Sequence, residues 1–451
     1  MNGMASSSSP SQETAARGRL YRMIWRWHFY AGLFCLPFII ILACSGSVYL
    51  FRPQIEAWID RDYLSLQRTG QAASADQLAA AALDAVPGSK LAAIILPEGP
   101  DQAARFLVSE NGARVRVYVH PDTLEILKTV PEDGRFERLL FRLHGELLMG
   151  DGGSILVELA ASWAIVMVLS GLYLWWPRGA KGAAGVLYPR LGQGAARFWR
   201  DLHAVTGVWI SGFALFLLVT GLPWATVWGG AFKQLRVATG TAAVVQDWST
   251  SAADEHAAHR RQEADAKVAS AGNASMEDIV LVARSLELAP PVLLSPPIRS
   301  DPYWWAKSNA QNRPLRADVA LSPDTGQIVS RQDFADRHVI DQIVGFGTAA
   351  HEGQLFGPLN QALGVLTALG LCVLCVSAFV MWRRRAPSGV LGAPPPVPDA
   401  RIGAGLSGLI ILCGILLPVL GACLIVIALI ERLVLVRLPA VRRWLGLPEA
   451  V

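Results

Sequence analysis

Residues His28–Phe51 read HFYAGLFCLPFIIILACSGSVYLF, an apolar run opened by an imidazole and free of carboxylate, lysine or arginine. A hydrocarbon core of ~30 Å needs about 20 apolar residues to cross it, so this stretch is long enough to span. Four more runs of that kind follow, at 155–176, 203–228, 360–382 and 404–430. The chain has 451 residues, 52% hydrophobic and 17% charged, where a soluble chain carries about 25% charge. The expectation is an α-helical polytopic membrane protein. The first run outlasts a signal-peptide core of about 7–15 residues and lacks a small-x-small cleavage site, so it reads as a retained anchor. The Ser-rich residues 1–16 are expected to lack order.

Arginine placement orients the spans, because Lys and Arg collect in cytoplasmic loops. The tail 1–27 is basic, the linker 177–202 holds Arg178, Lys181, Arg190, Arg197 and Arg200, and the Pro-rich linker 383–403 opens on Arg383, Arg384 and Arg385. These segments are expected in the cytoplasm, and 52–154 and 229–359 outside it, in the periplasm of a bacterial inner membrane. The net charge of +4 reflects this flanking, and no basic helix or stacking platform suggests nucleic acid. The run 404–430 has Gly414, Pro418 and Gly421 in its middle and Arg432, Arg437, Arg442 and Arg443 after it. It reads either as a kinked fifth span or as a re-entrant pair, with 431–451 as an amphipathic tail.

The half 28–176 resembles the half 203–382. Each opens on His-x-x-x-Gly (His28/Gly32, His203/Gly207), and each first span carries a hydroxyl residue before Gly near its outer end (Ser45-Gly46, Thr220-Gly221). Each external segment suggests a helix and three strands: 75–85, 91–96, 104–109 and 114–119 in one, 275–288, 292–295, 303–308 and 316–321 in the other. Both then turn at similar residues, His120-Pro-Asp-Thr and Ser322-Pro-Asp-Thr-Gly. Two small α+β extracytoplasmic lobes and an internal tandem duplication are expected. The stretch 238–274 reads as a loose loop.

On the motifs Ala350-His-Glu-Gly-Gln-Leu-Phe-Gly357, Ser170-Gly-Leu-Tyr-Leu-Trp-Trp-Pro177 and the Pro-Asp-Thr-Gly turn, the chain resembles the PepSY-associated transmembrane family. The resemblance covers about residues 20–385 and the tail motif Leu417–Gly421. It implies that the external lobes are PepSY-like. Some members resemble iron-regulated inner-membrane proteins that reduce ferric siderophores with bound haem b, which implies a haem-dependent ferric reductase carrying one or two haems.

The residues point the same way. Ionisable groups in membrane spans are functional candidates, and imidazole is a usual ligand of haem iron. His28 and His203 open spans, while His144 and His351 lie about ten residues ahead of two others. The two membrane faces are ~30 Å apart, so only His28 with His203, and His144 with His351, can share an iron. Each imidazole alone could instead bond a carbonyl or reach water. Arg138, Arg142 and Arg337 are candidates for haem propionates or for lipid headgroups. Trp304 and Trp305 offer a flat surface to a substrate or pack in a strand core. His338 reads as a cap, His120 as a turn residue, and His256 and His259 as a solvated face. Cys372 and Cys375, a CxxC inside a span, read as packing residues.

No nucleotide, flavin or hydrolase motif stands in the chain. An electron donor would then be a partner, a membrane quinol or a cytoplasmic reductase, and the acceptor a ferric siderophore or other ferric chelate bound between the lobes. Two other readings stay open: a membrane-anchored PepSY module that regulates or binds a protease, and a permease for iron or a siderophore.

Overall fold

The computed structural model describes residues 10–178, 181–241, 265, 273–397 and 402–447. The chain divides into two compact units, one of residues 1–44, 155–228 and 365–451, the other of 45–154 and 229–364. Among the described residues five helices are long and apolar enough to cross a membrane: Arg17–Tyr49, Gly150–Trp175, Ala195–Trp224, Pro358–Arg385 and Pro418–Arg437.

The first unit is helical. Its segments come from α1 (Pro10–Tyr49), α5 (Gly150–Trp175), α6 (Ala195–Gly221), α10 (Pro358–Arg385), α11 (Ala404–Leu416), α12 (Pro418–Leu433) and α13 (Pro439–Leu445). The expectation that all of residues 1–16 lack order is corrected for Pro10–Ala16, which form the first turns of α1. The helix of the third run begins and ends earlier than the expected 203–228. Pro223 lacks the N–H that would continue the ladder, so α6 ends at Gly221 and Leu222–Trp224 make a tight 3-10 turn. The carboxylate of Glu158, 2% exposed on α5, accepts hydrogen bonds from the amides of Val227 (2.9 Å) and Trp228 (3.1 Å) just beyond that turn. A carboxyl group within a span thus serves as a helix N-cap.

The fifth run folds back on itself. Residues seven apart in a straight helix lie about 10 Å apart along the axis, yet a Cβ on Gly421 would stand 2.5 Å from the Gly414 carbonyl oxygen. The break falls at Leu417-Pro418, where Leu417 and Leu420 pack against Leu222 and, alongside them, Trp163, Val166 and Trp228. Chain on either side of the pair returns to one turn of α1. Arg26 donates to the carbonyls of Pro394 and Gly446, and the Tyr30 hydroxyl donates to that of Leu445 (2.6 Å). The break falls inside 404–430, and Pro418–Arg437 after it is by itself long and apolar enough to cross a membrane.

The second unit is built on one antiparallel sheet of eight strands, ordered β4-β3-β2-β1-β5-β6-β7-β8. One half runs α3 (Ala75–Asp84), β1 (Lys90–Ile95), β2 (Ala104–Glu110), β3 (Ala113–Val119) and β4 (Ile126–Pro131). The other runs α8 (Met276–Ser285), β5 (Val292–Ser295), β6 (Trp304–Ser308), β7 (Ala317–Leu321) and β8 (Ile328–Asp333). The two expected α+β lobes are therefore joined: Ile94 pairs with Leu294 and Ile95 with Leu293 across β1 and β5. Each half gains a fourth strand that the sequence reading left out. Local chemistry explains the elements. Ser74 and Ser275 each close a capping box on the helix that follows. Asn111-Gly112, both at positive φ, make the two-residue turn between β2 and β3. The His120 ring accepts from the amides of Asp122 and Thr123, and the Ser322 hydroxyl from that of Asp324, so the two Pro-Asp-Thr turns are pinned alike. Alternation sends Phe106, Val108, Val117, Leu294 and Val319 to one face, where α3 and α8 cover them.

Around the sheet stand α2 (Arg52–Ile59), α4 (Phe136–Glu146), α7 (Thr226–Ala238) and α9 (Val339–His351). Arg236 of α7, 1% exposed, holds both carboxylate oxygens of Asp341 on α9, at 2.5 and 2.8 Å. Burying such a pair costs several kcal/mol per ion unless the geometry repays it, and this one is bidentate.

Candidate functional site

In the helical unit, His28 on α1 and His203 on α6 come together, with ring centroids 6.5 Å apart and planes at 86°. Each Nδ1 has a polar partner. The Ser170 hydroxyl lies 2.9 Å from His28 Nδ1 and 3.2 Å from the Met167 carbonyl. His203 Nδ1 faces the Leu374 carbonyl at 3.2 Å and the Ser377 hydroxyl at 3.1 Å, and that hydroxyl donates to the carbonyls of Val373 and Leu374. Facing a carbonyl, His203 Nδ1 carries hydrogen, which leaves its Nε2 with a lone pair. This is the arrangement in which an outer partner orients a metal-binding imidazole. A metal ion bonds imidazole nitrogen at about 2 Å, and the ring centroids lie behind the nitrogens. A separation of 6.5 Å is close enough for two imidazoles to share one metal ion.

Glycine makes the seat for His28. A Cβ at Gly171 would stand 3.3 Å from His28 Cε1. Gly32 and Gly207 face Met167 and Leu374.

His144 has a seat of the same kind in the sheet unit. It lies in the last turn of α4, with Ser45 Oγ 2.9 Å from its Nδ1, and a Cβ on Gly46 would stand 3.0 Å from its Cε1. The turn after it is tight. Leu147 and Leu148 have positive φ, and a Cβ at Gly153 would overlap the Glu146 carbonyl oxygen at 1.7 Å. His351 is the last residue of α9, between buried Ala349 and the cap residue Glu352. The helices bearing His144 and His351 converge on Arg52, which lies 3.9 Å from Glu137 of α4 and 3.8 Å from Glu352. Burial works against the Arg52 charge, but Tyr49, Glu352 and Glu137 offset it and hold its guanidinium above the ordinary value.

The remaining candidates fall as follows. Arg337 bonds Asp318 of the sheet at 3.1 Å, Arg138 lies 3.8 Å from Asp133, and Arg142 lies 3.8 Å from Glu146 on its own helix. Trp304 packs in the core under α3 and α8. Trp305 points to the opposite face, with Nε1 on Asp301 at 2.7 Å. His338 caps α9 by accepting from the Ile340 amide. His256 and His259 lie outside the described residues. Among the described residues no three His, Cys, Asp or Glu gather as a metal centre. Cys35 and Cys375 are buried free thiols against the carbonyls of Ala160 and Leu36.

Sequence reasoning passed over Ser170, Gly171, Ser377, Arg52 and Glu158. A signal was present for the first two: Ser45-Gly46 and Ser170-Gly171 are the same dipeptide, each in a long apolar run.

Apolar helices with a half-buried histidine pair, together with an antiparallel sheet domain, define a helical membrane protein. The chain belongs to the family described as the PepSY-associated TM region, whose pattern matches residues 25–385 and so takes in all four histidines. No curated protein matches it.

Proposed function

We propose that the protein is a haem-b-binding transmembrane electron conduit that reduces a ferric siderophore or other ferric chelate on the periplasmic side of a bacterial inner membrane. The observation that carries the reading is the His28–His203 pair, with rings 6.5 Å apart and both Nδ1 atoms held by polar partners. The residues fit the group: two imidazoles, each oriented by a hydroxyl or carbonyl, on apolar helices. Haem b held there supplies one-electron chemistry. The chain's own part is to present imidazole nitrogen from α1 and α6, to orient the rings through Ser170, Ser377 and the Leu374 carbonyl, and to leave room for His28 at Gly171. His144 and His351 are proposed as the outer pair, with Ser45 orienting His144. Arg138, Arg142 and Arg337 remain candidates for the propionates there.

The donor is a membrane quinol or a cytoplasmic reductase. Converting Fe(III) to Fe(II) weakens binding by hard oxygen ligands and frees the metal. The N-terminus and both basic linkers lie in the cytoplasm by the distribution of arginine. The two halves descend from a tandem duplication, a reading supported by their shared order of helix and four strands and by the paired Pro-Asp-Thr turns. Purified protein made with ample porphyrin supply tests the proposal. A Soret band that shifts on dithionite and loses intensity in His28→Ala and His203→Ala is the expected result. Colourless protein ends it.

A further inference from the structure

Two helices of the sheet unit are built inside out. A helix beside water turns its apolar stripe to the core and its charges outward. α8 obeys: Ile279, Val280 and Ala283 are buried, while Asp278, Arg284 and Ser285 are exposed. α9 reverses the pattern. Its inner face carries Asp341, which is bonded by Arg236, together with Gly345, Thr348 and Ala349. A Cβ at Gly345 would stand 2.5 Å from the Phe334 ring, so that face is closely packed. The large apolar side chains point away: Val339 is 59% exposed, Ile343 66% and Phe346 46%. At i, i+4 and i+7, these three form one stripe. α4 shows the same reversal in the other half. Phe136 and Leu139 are exposed, whereas Glu137, Arg138 and Arg142 are ion-paired and Glu146 is buried.

What covers the stripe follows from what comes next in the chain. Pro358, the first residue of the span α10, stands seven residues after His351, the last of α9, a tether of at most about 25 Å. Phe356 on that tether and Leu359 just beyond it are exposed too. Leu148 and Met149 do the same between α4 and the span α5. The apolar stripe of α9 therefore continues, along the chain, into a helix long and apolar enough to cross a membrane. A helix with one apolar face settles about 5–10 Å into the boundary between headgroups and acyl chains.

We propose that α9 lies in that boundary, on the side of the membrane that holds the sheet unit, with Val339, Ile343 and Phe346 among acyl chains and Asp341 turned up into the protein. The sheet unit is then moored to the lipid surface by α9 as well as by its spans. In water a contiguous apolar patch marks an association site; here the short tether to a span commits the patch to lipid. The reversed pattern fits that occupant, since acyl chains accept Ile343 and Phe346 and reject Asp341, which is the side each residue takes.

The test uses the full chain in nanodiscs of phosphatidylethanolamine and phosphatidylglycerol. Trifluoromethyl-phenylalanine is placed at Ile343 in one protein and at Phe346 in another. Its fluorine resonance is followed with two broadening reagents, a lipid with a doxyl group on its acyl chain and a water-soluble gadolinium chelate. The doxyl lipid should erase both resonances, and the chelate should leave them. At Leu281, which lies among the exposed polar residues of α8, the chelate should erase the resonance and the doxyl lipid leave it. Chelate broadening at Ile343 or Phe346 overturns the proposal. So does a resonance there that neither reagent touches, because protein, such as a second copy of the chain, would then cover the stripe. Each reading compares one protein with and without reagent, so bound haem cancels, and failure here leaves the conduit standing.

Discussion

His28 and His144 occupy seats of one design in two different units. Each has a serine hydroxyl 2.9 Å from Nδ1, and each is faced by the glycine that follows that serine, Gly171 at 3.3 Å and Gly46 at 3.0 Å. What surrounds the seats differs. His28 stands in a long apolar helix opposite a second histidine. His144 sits at the end of an 11-residue helix held by ion pairs, just before a turn with no room for a side chain. A serine–glycine step in an apolar helix is therefore a portable way to hold an imidazole by one nitrogen, whether the histidine lies within a span or on a short helix.

Substitutions can pull the two seats apart. The largest effect should come from Gly153→Ala. Its Cβ would overlap the Glu146 carbonyl oxygen, so the turn behind His144 must open, at a cost of about 3 kcal/mol or more. Thermal unfolding read in the sheet unit checks this, and the His28 seat should keep its ligands. Next, Gly46→Ala should displace His144 more than Gly171→Ala displaces His28, because the first contact is tighter, 3.0 against 3.3 Å. Equal loss of haem in the two variants would break the comparison.

A milder change removes only the orienting hydroxyl. Ser170→Ala and Ser45→Ala should each weaken iron-porphyrin retention about 10–100-fold, as loss of an outer-shell partner does, with the protein still folded. Titration of released haem against apomyoglobin measures it. The smallest effect concerns acid. Arg68 and the amides of Thr69 and Gly70 hold the Asp122 carboxyl down to about 2. A depressed carboxylate stabilises the fold above its ordinary value near ~4 and loses that contribution as pH falls toward its folded value. The sheet unit should thus weaken between about pH 4 and 2, and Asp122→Asn should flatten that slope. A slope unchanged by the substitution would show that other groups carry it.

The sequence made the long helices plain, because an unbroken apolar run has few other solutions. It also marked six of the eight strands, through alternation and turn residues. It could not show that β1 and β5 pair, since two short buried strands carry no label for their neighbour. β4 and β8 were missed because half-exposed residues such as Ile126 and Lys128, or Arg331 and Gln332, leave little apolar pattern. The fold-back at Leu417-Pro418 was visible only as Gly414, Pro418 and Gly421, which a kink would equally explain. At the site, four histidines stood out against apolar surroundings, but the hydroxyls that orient them did not, because serine is common in spans. The tryptophan pair shows the limit of reading by type: Trp304 and Trp305 are adjacent and point to opposite faces.

The most direct test is electron paramagnetic resonance of the oxidised protein, wild type beside His28→Ala and His203→Ala. One low-spin haem signal lost in both variants, with other haem signals unchanged, is the expected result. Retention of every low-spin signal in either variant would contradict the shared iron on which the function rests.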